Sequence, residues 1–523
     1  MVEIKQLQRE FEKLKSERCN FESLWSKVAQ YVYPSRDNFN KVQTPGRELN
    51  DKIFDSTPTT AAEMLASGLH GMLTNPSIDW FAFKIKDKED SSNESKWLED
   101  VKDIVQSAIS KPISGFATNI HEVYLDMVLF GTGCLKETWD EDNKCIAFQA
   151  IPLEQLYIAE DYTGKINKVF RRFSWTKEDI EKVFTNIPNF IQSSKEPGER
   201  FEIVHCVYNA DDKSEKPFKS VYFASSTGDV LRESAYYEMP YLVARWTKSS
   251  VETYGRSPAM VALPDIRLLQ ELNKEALISV QLANRPPLLV SDNDSHYPID
   301  IYPNSLIRYR NGQAPQPLNL AVQPGVALQM IAEIKERIRF TFYNDQLLTN
   351  TSPTQTATEV NARIEERMRL LMPVMGRLQV DLLGPLVERA YGLLQRHGFI
   401  PQPPEDINGE MDVEYLSISA IAQRTSQLRR YTDALGYASM FLQIDPSVAN
   451  IIDSEAALRD IANSYNIGFA IKDHDTIEKE REAQAMSRQE QIDLQNQQVA
   501  AQTELTRAQA NDVQAKFNQT LAQ

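Results

Sequence analysis

The chain has 523 residues, enough for roughly three or four domains of ordinary size. Its 42% hydrophobic and 25% charged content is a normal globular balance and excludes wholesale disorder. The net charge of −16 argues against a tight, nonspecific DNA binder, because such proteins gain affinity by counterion release from clustered Lys and Arg.

No apolar run approaches the ~18 residues that span a bilayer. Glu3 and Lys5 leave no signal-peptide core, so a soluble protein without a membrane partner is expected. Residues 3–32 read as an amphipathic helix, with Ile4, Leu7, Phe11 and Leu14 in register and Phe21, Leu24, Val28 and Val32 resuming the stripe. Pro34 stops it. Thr57 is placed to cap a second helix, with Pro58 at its first position, running to about Leu73. Residues 95–110 and 117–130 are also helical in pattern.

The texture then changes to strands. Cys134–Trp139 and Lys144–Ile151 flank a hairpin turn at Asp140–Asn143, and a second hairpin turns at Asp161–Gly164. Thr176 with Asp179 resembles a capping box for a short helix to Phe184. Strand-like runs return at Phe201–Tyr208, Ser220–Ala224 and Leu242–Trp246.

From Pro258 a helix of roughly 25 residues carries Leu269, Leu272, Ala276, Val280 and Ala283 on one side. Leu268, Ile278 and Leu282 make another side partly apolar, which predicts neighbours on two flanks. Pro286 and Pro287 end it, and residues 285–325 are proline-rich with short strand candidates, one containing Arg308, Tyr309 and Arg310. That basic–aromatic strand suits contact with nucleic acid, although an exposed strand with alternating faces is the plainer reading. A second helix spans about 326–347, with Ile331, Ile334, Ile338 and Phe342 in register. After an uncharged polar loop the cleanest periodicity of the chain follows: Val360, Ile364, Met368, Leu371, Met375, Leu378 and Leu382. Pro373 and Pro385 fall inside this helix and predict kinks. A strand at Asp412–Ile418 precedes further helices and a tail rich in Gln, Ala and Glu.

Little in the chain asks for catalysis or a cofactor. Gly131–Gly133 leads into a strand, whereas a dinucleotide fingerprint leads out of one, so it reads as a structural turn. No GxxxxGK[ST] loop or HExxH pair occurs, the six histidines are scattered, and no metal is expected. The acidic runs at Asp140–Asp142 and at Asp292 and Asp294 lack the turn glycine and distal glutamate of a calcium loop. Cys19, Cys134, Cys145 and Cys206 have no CxxC spacing and are expected to be reduced core residues.

Four strings carry a resemblance: Phe21–Arg36, Ile53–Phe81, Arg245–Leu272 and Thr356–Arg363. In content and order they resemble the head-to-tail connecting (portal) proteins of short-tailed bacteriophages over roughly residues 20–400. The resemblance implies an α+β fold and a non-enzymatic homo-oligomer, usually a ring of twelve, at one capsid vertex of the virion, assembled in the host cytoplasm. Double-stranded DNA would pass through its channel during packaging and ejection. The implied partners are the terminase packaging motor, tail adaptor proteins, and the major capsid and scaffold proteins.

Laid onto this chain, the family architecture implies an N-terminal wing (1–257), stem helices 258–284 and 326–347, and a clip (285–325) containing Arg308, Tyr309 and Arg310 for partner docking. It further implies a tunnel loop (348–356), a spine helix with its strand (357–420) and a helical crown (421–523). The channel-facing loop would be Thr349, Asn350, Thr351, Ser352, Pro353, Thr354, Gln355 and Thr356, and Leu268, Ile278 and Leu282 would face a neighbouring subunit. A closed ring needs two different faces per subunit, which suits a two-sided stem helix. A scaffold or internal virion protein is the alternative and would lack the stem–clip–stem order. An enzyme with a dispersed active site is the remaining class.

Overall fold

The computed structural model describes residues 2–39, 46, 51–76, 79–85, 92–194, 196, 198–210, 214–291, 305–309, 316–317, 324–344, 371–403 and 411–415, with short helical pieces at 499, 502–503, 506–511 and 513. The chain divides into two units, Met1–Ser419 and Ala420–Gln523. The sheets and the main core of the described residues lie in the first. Among the described residues no helix is long and apolar enough to cross a membrane.

Helix α1 (Val2–Val32) uses its apolar stripe twice. Leu7 and Phe11 enter a small cluster with Tyr157 and Phe170, while Trp25, Val28 and Val32 enter the main core. Between them Arg18, almost fully buried, donates to the carbonyls of Leu153, Glu154 and Leu156 and pairs with Glu22 at 2.6 Å. Its guanidinium lies 3.7 Å from the Tyr157 ring centroid, so the buried charge is hydrogen-bonded, paired and stacked.

Helix α2 (Thr57–Leu73) ends where expected, but its cap differs. Ser56 holds the cap position without a side-chain bond, and the Asp55 carboxylate accepts from the Thr57 N–H at 2.9 Å. Helices α3 (Ser92–Ser110) and α4 (Phe116–Phe130) match the sequence reading. Strand β1 (Phe81–Ile85) was not expected; it pairs antiparallel with β13 (Met411–Tyr415), Phe81 opposite Tyr415.

Both expected hairpins are present. β2 (Thr132–Asp140) and β3 (Cys145–Ala150) pair antiparallel, and β9 (Tyr241–Arg245) completes a three-stranded sheet in the order β3-β2-β9. β4 (Leu156–Glu160), β5 (Ile166–Thr176), β6 (Arg200–Asn209), β7 (Phe218–Ala224) and β8 (Val230–Tyr236) form an antiparallel meander in sequence order. β8 is the strand that periodicity overlooks. Between β5 and β6 lie α5 (Lys177–Val183), capped by Thr176 accepting from the Asp179 N–H, and α6 (Asn189–Gln192).

Gly131, at φ +78°, is where α4 turns into β2. A Cβ there would sit 2.3 Å from the Gly255 carbonyl oxygen, so two backbones cross with no room for a side chain. This is the structural turn expected of the Gly131–Gly133 string.

Helix α7 (Pro258–Asn284) has the expected bounds and runs through Pro264. β10 (Leu288–Ser291) pairs parallel with β11 (Leu306–Tyr309) and antiparallel with β12 (Gln316–Pro317). Helix α8 (Pro324–Thr341) ends six residues earlier than the sequence reading; Tyr343, at φ +57°, marks the break. Residues 371–378 are helical, five residues form a π turn (Gln379–Leu383), and α9 (Gly384–Arg396) follows. The interruption therefore sits just ahead of Pro385, where one extra residue in the turn accommodates a residue that cannot donate. The turn ahead of Pro373, where a kink is expected, lies outside the described residues. Leu371, Met375, Leu378 and Leu382 are buried as their spacing predicts. All four cysteines are free, but Cys19 is exposed on α1 and is not a core residue.

Candidate subunit interface

The α7–α8 pair carries most of the side chains singled out for assembly. Ser257 starts α7: its Oγ accepts from the Met260 N–H at 3.0 Å and donates to the Leu129 carbonyl at 2.8 Å. Pro258 in the first turn needs no donor. The first half of α7 is core, with Ala259, Ala262, Leu263, Ile266 and Leu269 buried. Gln270, 3% exposed, accepts from the N–H groups of Phe54 and Asp55 at 2.7 and 2.8 Å and donates to the Asp55 carbonyl at 2.8 Å. One side chain thereby fixes the loop that leads into α2.

Helix α8 turns Ile331, Ile334 and Ile338 inward, with Phe342 just past its end in the same register. Lys335 pairs with Asp55 at 2.6 Å, and Arg337 with Asp265 at 3.1 Å. Burial pushes the Asp55 carboxyl up, but hydrogen bonds from Lys335 and Thr57 outweigh it and hold its pKa below the usual value.

Beyond Gln270 the apolar stripe of α7 outruns the core. Leu272 and Ala276 still pack at its edge, but Val280 and Ala283, expected on the packed side, are exposed within the single chain. On the second flank Leu268 is 43% exposed, and Ile278 and Leu282 are half-buried. Val261, two turns before Leu268 on the same face, is exposed, as are Leu277 and, on α8, Leu328, Met330 and Phe340. The structure thus brings Leu268, Ile278 and Leu282 onto one flank of one helix.

Other expected site residues are less accessible. Arg308 and Tyr309 belong to β11, an edge strand in the order β11-β10-β12, while their side chains and Arg310 lie outside the described residues. The loop Thr349–Thr356 also lies outside them. Among the described residues no group of three or more His, Cys, Asp or Glu side chains could hold a metal ion.

Sequence reasoning missed buried polar anchors, among them Arg18, Gln270, Arg245 and Arg389. Arg245 bonds Glu160, Asp381 at 3.3 Å and the Gly164 carbonyl at 3.3 Å, joining the β4–β5 turn to the π turn. Arg389 donates to the carbonyls of Glu137 and Glu238. The available signal was a single charged or amide group inside or ending an otherwise apolar run, as in Tyr241–Arg245.

Comparison with known proteins decides what these helices belong to. The family model for the bacteriophage head to tail connecting protein matches residues 4–469. The chain belongs to this family. Among its relatives, the portal protein of Salmonella phage epsilon15 is 27% identical over 491 residues, 87% of this chain and 86% of the relative. The probable portal protein of Bordetella phage BPP-1 is 27% identical over 471 residues, 84% of each chain. The portal protein of Escherichia phage T7 is 22% identical over 424 residues, covering 76% of this chain and 75% of the relative. In this head-to-tail connecting protein the match takes in α7, α8 and the segment between them, and the mixture of helices and antiparallel sheets agrees with the expected α+β class.

Proposed function

We propose that the chain is the portal subunit of a bacteriophage: it closes into a ring, of twelve copies by family resemblance, at one capsid vertex, and double-stranded DNA passes through the ring during packaging and ejection. One observation carries the reading beyond family membership. The α7–α8 pair is anchored in the core at one end and leaves Leu268, Leu277, Val280, Leu328, Met330 and Phe340 uncovered within a single chain. These six side chains leave apolar area on more than one side of the two helices. Burying them needs neighbours on two flanks, which a closed heterologous ring supplies.

In this reading α7 and α8 are the stem and residues 285–325 the clip, where the terminase packaging motor and later the tail adaptors dock. The uncharged loop 348–356 faces the channel, and the acidic chain lets a polyanion slide without a grip. The subunit itself performs no catalysis; the motor supplies the hydrolysis. Capsid and scaffold proteins surround the ring in the virion, and assembly takes place in the host cytoplasm. Electron microscopy of the purified protein tests the core of this: rings with a central hole are expected, and a population of only monomers or dimers refutes it. Deleting Asn350–Gln355 is expected to leave rings intact while particles lose packaged DNA; normal genome retention refutes the channel assignment.

A further inference from the structure

Strand β9 stands at the edge of the three-stranded sheet, yet all five of its residues are buried. Two bonds to the β2 side fix its phase. The Glu137 N–H donates to the Pro240 carbonyl and the Trp246 N–H to the Gly131 carbonyl, both at 2.9 Å. Bonded positions alternate along an antiparallel pair, so Leu242 and Ala244 also turn their backbone groups to β2. The N–H and C=O groups of Tyr241, Val243 and Arg245 therefore point the other way, and no described strand pairs with that edge. A buried backbone edge without a ladder is rare, because each unmet group costs about as much as a lost hydrogen bond.

Tyr241, Val243 and Arg245 line a cavity of about 520 Å³. The rest of its lining is mainly apolar, with Ile166, Met239, Val380, Pro385 and Val413. A helix follows the strand along its length: Asp381 in the π turn meets Arg245, and Arg389 in α9 donates to the Glu238 carbonyl. Val380, in the π turn, is 70% exposed, so the lining reaches open solvent there. From Tyr241 to Arg245 the strand spans about 14 Å, the length of four or five extended residues. Of the charged groups in the lining, Arg245 is neutralised by Glu160 and Asp381, and Glu388 is already engaged. Lys165 is exposed beside Gly164, whose carbonyl accepts from Arg245, and it forms no ion pair with a described residue.

We propose that β9 takes an extended segment of a partner protein as an added strand, with an acidic side chain of that segment at Lys165. Polypeptide backbone is the chemistry that matches the edge, since it repeats donor and acceptor at the two-residue spacing of Tyr241, Val243 and Arg245. Apolar side chains at alternate positions fill the apolar lining, and the unpaired charge of Lys165 selects an acid at the Arg245 end. The contact is independent of ring closure and lies away from α7 and α8.

The test uses full-length protein and two fluorescein-labelled hexapeptides, Val-Thr-Val-Thr-Val-Asp and the reversed Asp-Val-Thr-Val-Thr-Val, one for each strand direction. One of them should bind saturably by fluorescence anisotropy; failure of both overturns the proposal. N-methylating one alternate set of peptide amides should abolish binding, and methylating the other set should leave it. Equal effects of the two sets overturn strand addition. Changing the peptide Asp to Asn, or Lys165→Ala in the protein, should each weaken binding about threefold without adding; additive losses refute the Lys165 contact. Val243→Pro removes an outward N–H, which an edge strand tolerates, so the thermal midpoint should hold while affinity falls roughly tenfold. Unchanged affinity in a folded Val243→Pro variant overturns the site. Hydrogen exchange on the wild type decides even where that variant does not fold. Bound peptide should protect the Tyr241, Val243 and Arg245 amides and leave Leu242 and Ala244 as they were; no added protection overturns the proposal. If those three amides are already protected in peptide-free rings and neither peptide binds, a second copy fills the edge and the partner assignment falls.

Discussion

Replacing Gln270 by methionine keeps the length of the side chain and removes three hydrogen bonds, two accepted from Phe54 and Asp55 and one donated to Asp55. Each is worth roughly 1 kcal/mol net, and more where the abandoned backbone group stays out of water. The sum is about 3 kcal/mol, a large fraction of the margin of an ordinary domain. Packing should be almost unchanged, so the loss isolates the polar clamp. Urea unfolding of the subunit measures it as a lower midpoint at constant slope. Amide exchange gives the location: the Phe54 and Asp55 N–H groups should lose protection while Ile266 and Leu269 in α7 keep theirs. A midpoint shift worth less than about 1 kcal/mol, or protection lost all along α7, would refute the clamp.

Leu268→Asp should weaken ring assembly while leaving subunit unfolding nearly unchanged, because the residue is exposed in the single chain; analytical ultracentrifugation and thermal melting together check this. Burial pushes the Glu137 carboxyl up to about 8, against the opposing charge of Arg389. Its folded pKa exceeds its unfolded value, so wild-type stability is full below about 4.5 and declines as pH rises towards 8. Glu137→Gln lacks this decline, and its advantage in thermal midpoint should grow from pH 5 to pH 8; parallel curves would contradict the assignment. Gly131→Ala places a Cβ 2.3 Å from the Gly255 oxygen at a left-handed φ and should cost about 3 kcal/mol or more, read by urea unfolding.

Local chemistry was legible wherever sequence neighbours form the structure. The two hairpins, the Thr176 cap and the bounds of α7 follow from residues within a few positions of one another. β1 was not, because Phe81–Ile85 finds its partner at Met411–Tyr415, and nothing in five residues announces a mate so distant. β8 escaped for another reason: at the sheet edge its outer residues are solvated, which blurs alternation into Val230–Tyr236. The early end of α8 and the π turn depend on tertiary packing that overrides a continuing helical pattern. The apolar flank of α7 was read from spacing alone.

The β1–β13 pairing also sets a clock. During synthesis Phe81–Ile85 leaves the ribosome some 326 residues before Met411 does, so at 5–20 residues per second β1 waits on the order of 20–60 s for its partner. Through that interval Phe81 and Phe83 have no strand to close over them, and an unpaired edge is a template for aggregation. A chain cut short before residue 411 never completes the joint. Nascent and truncated subunits are thus marked by an open seam that a finished one lacks.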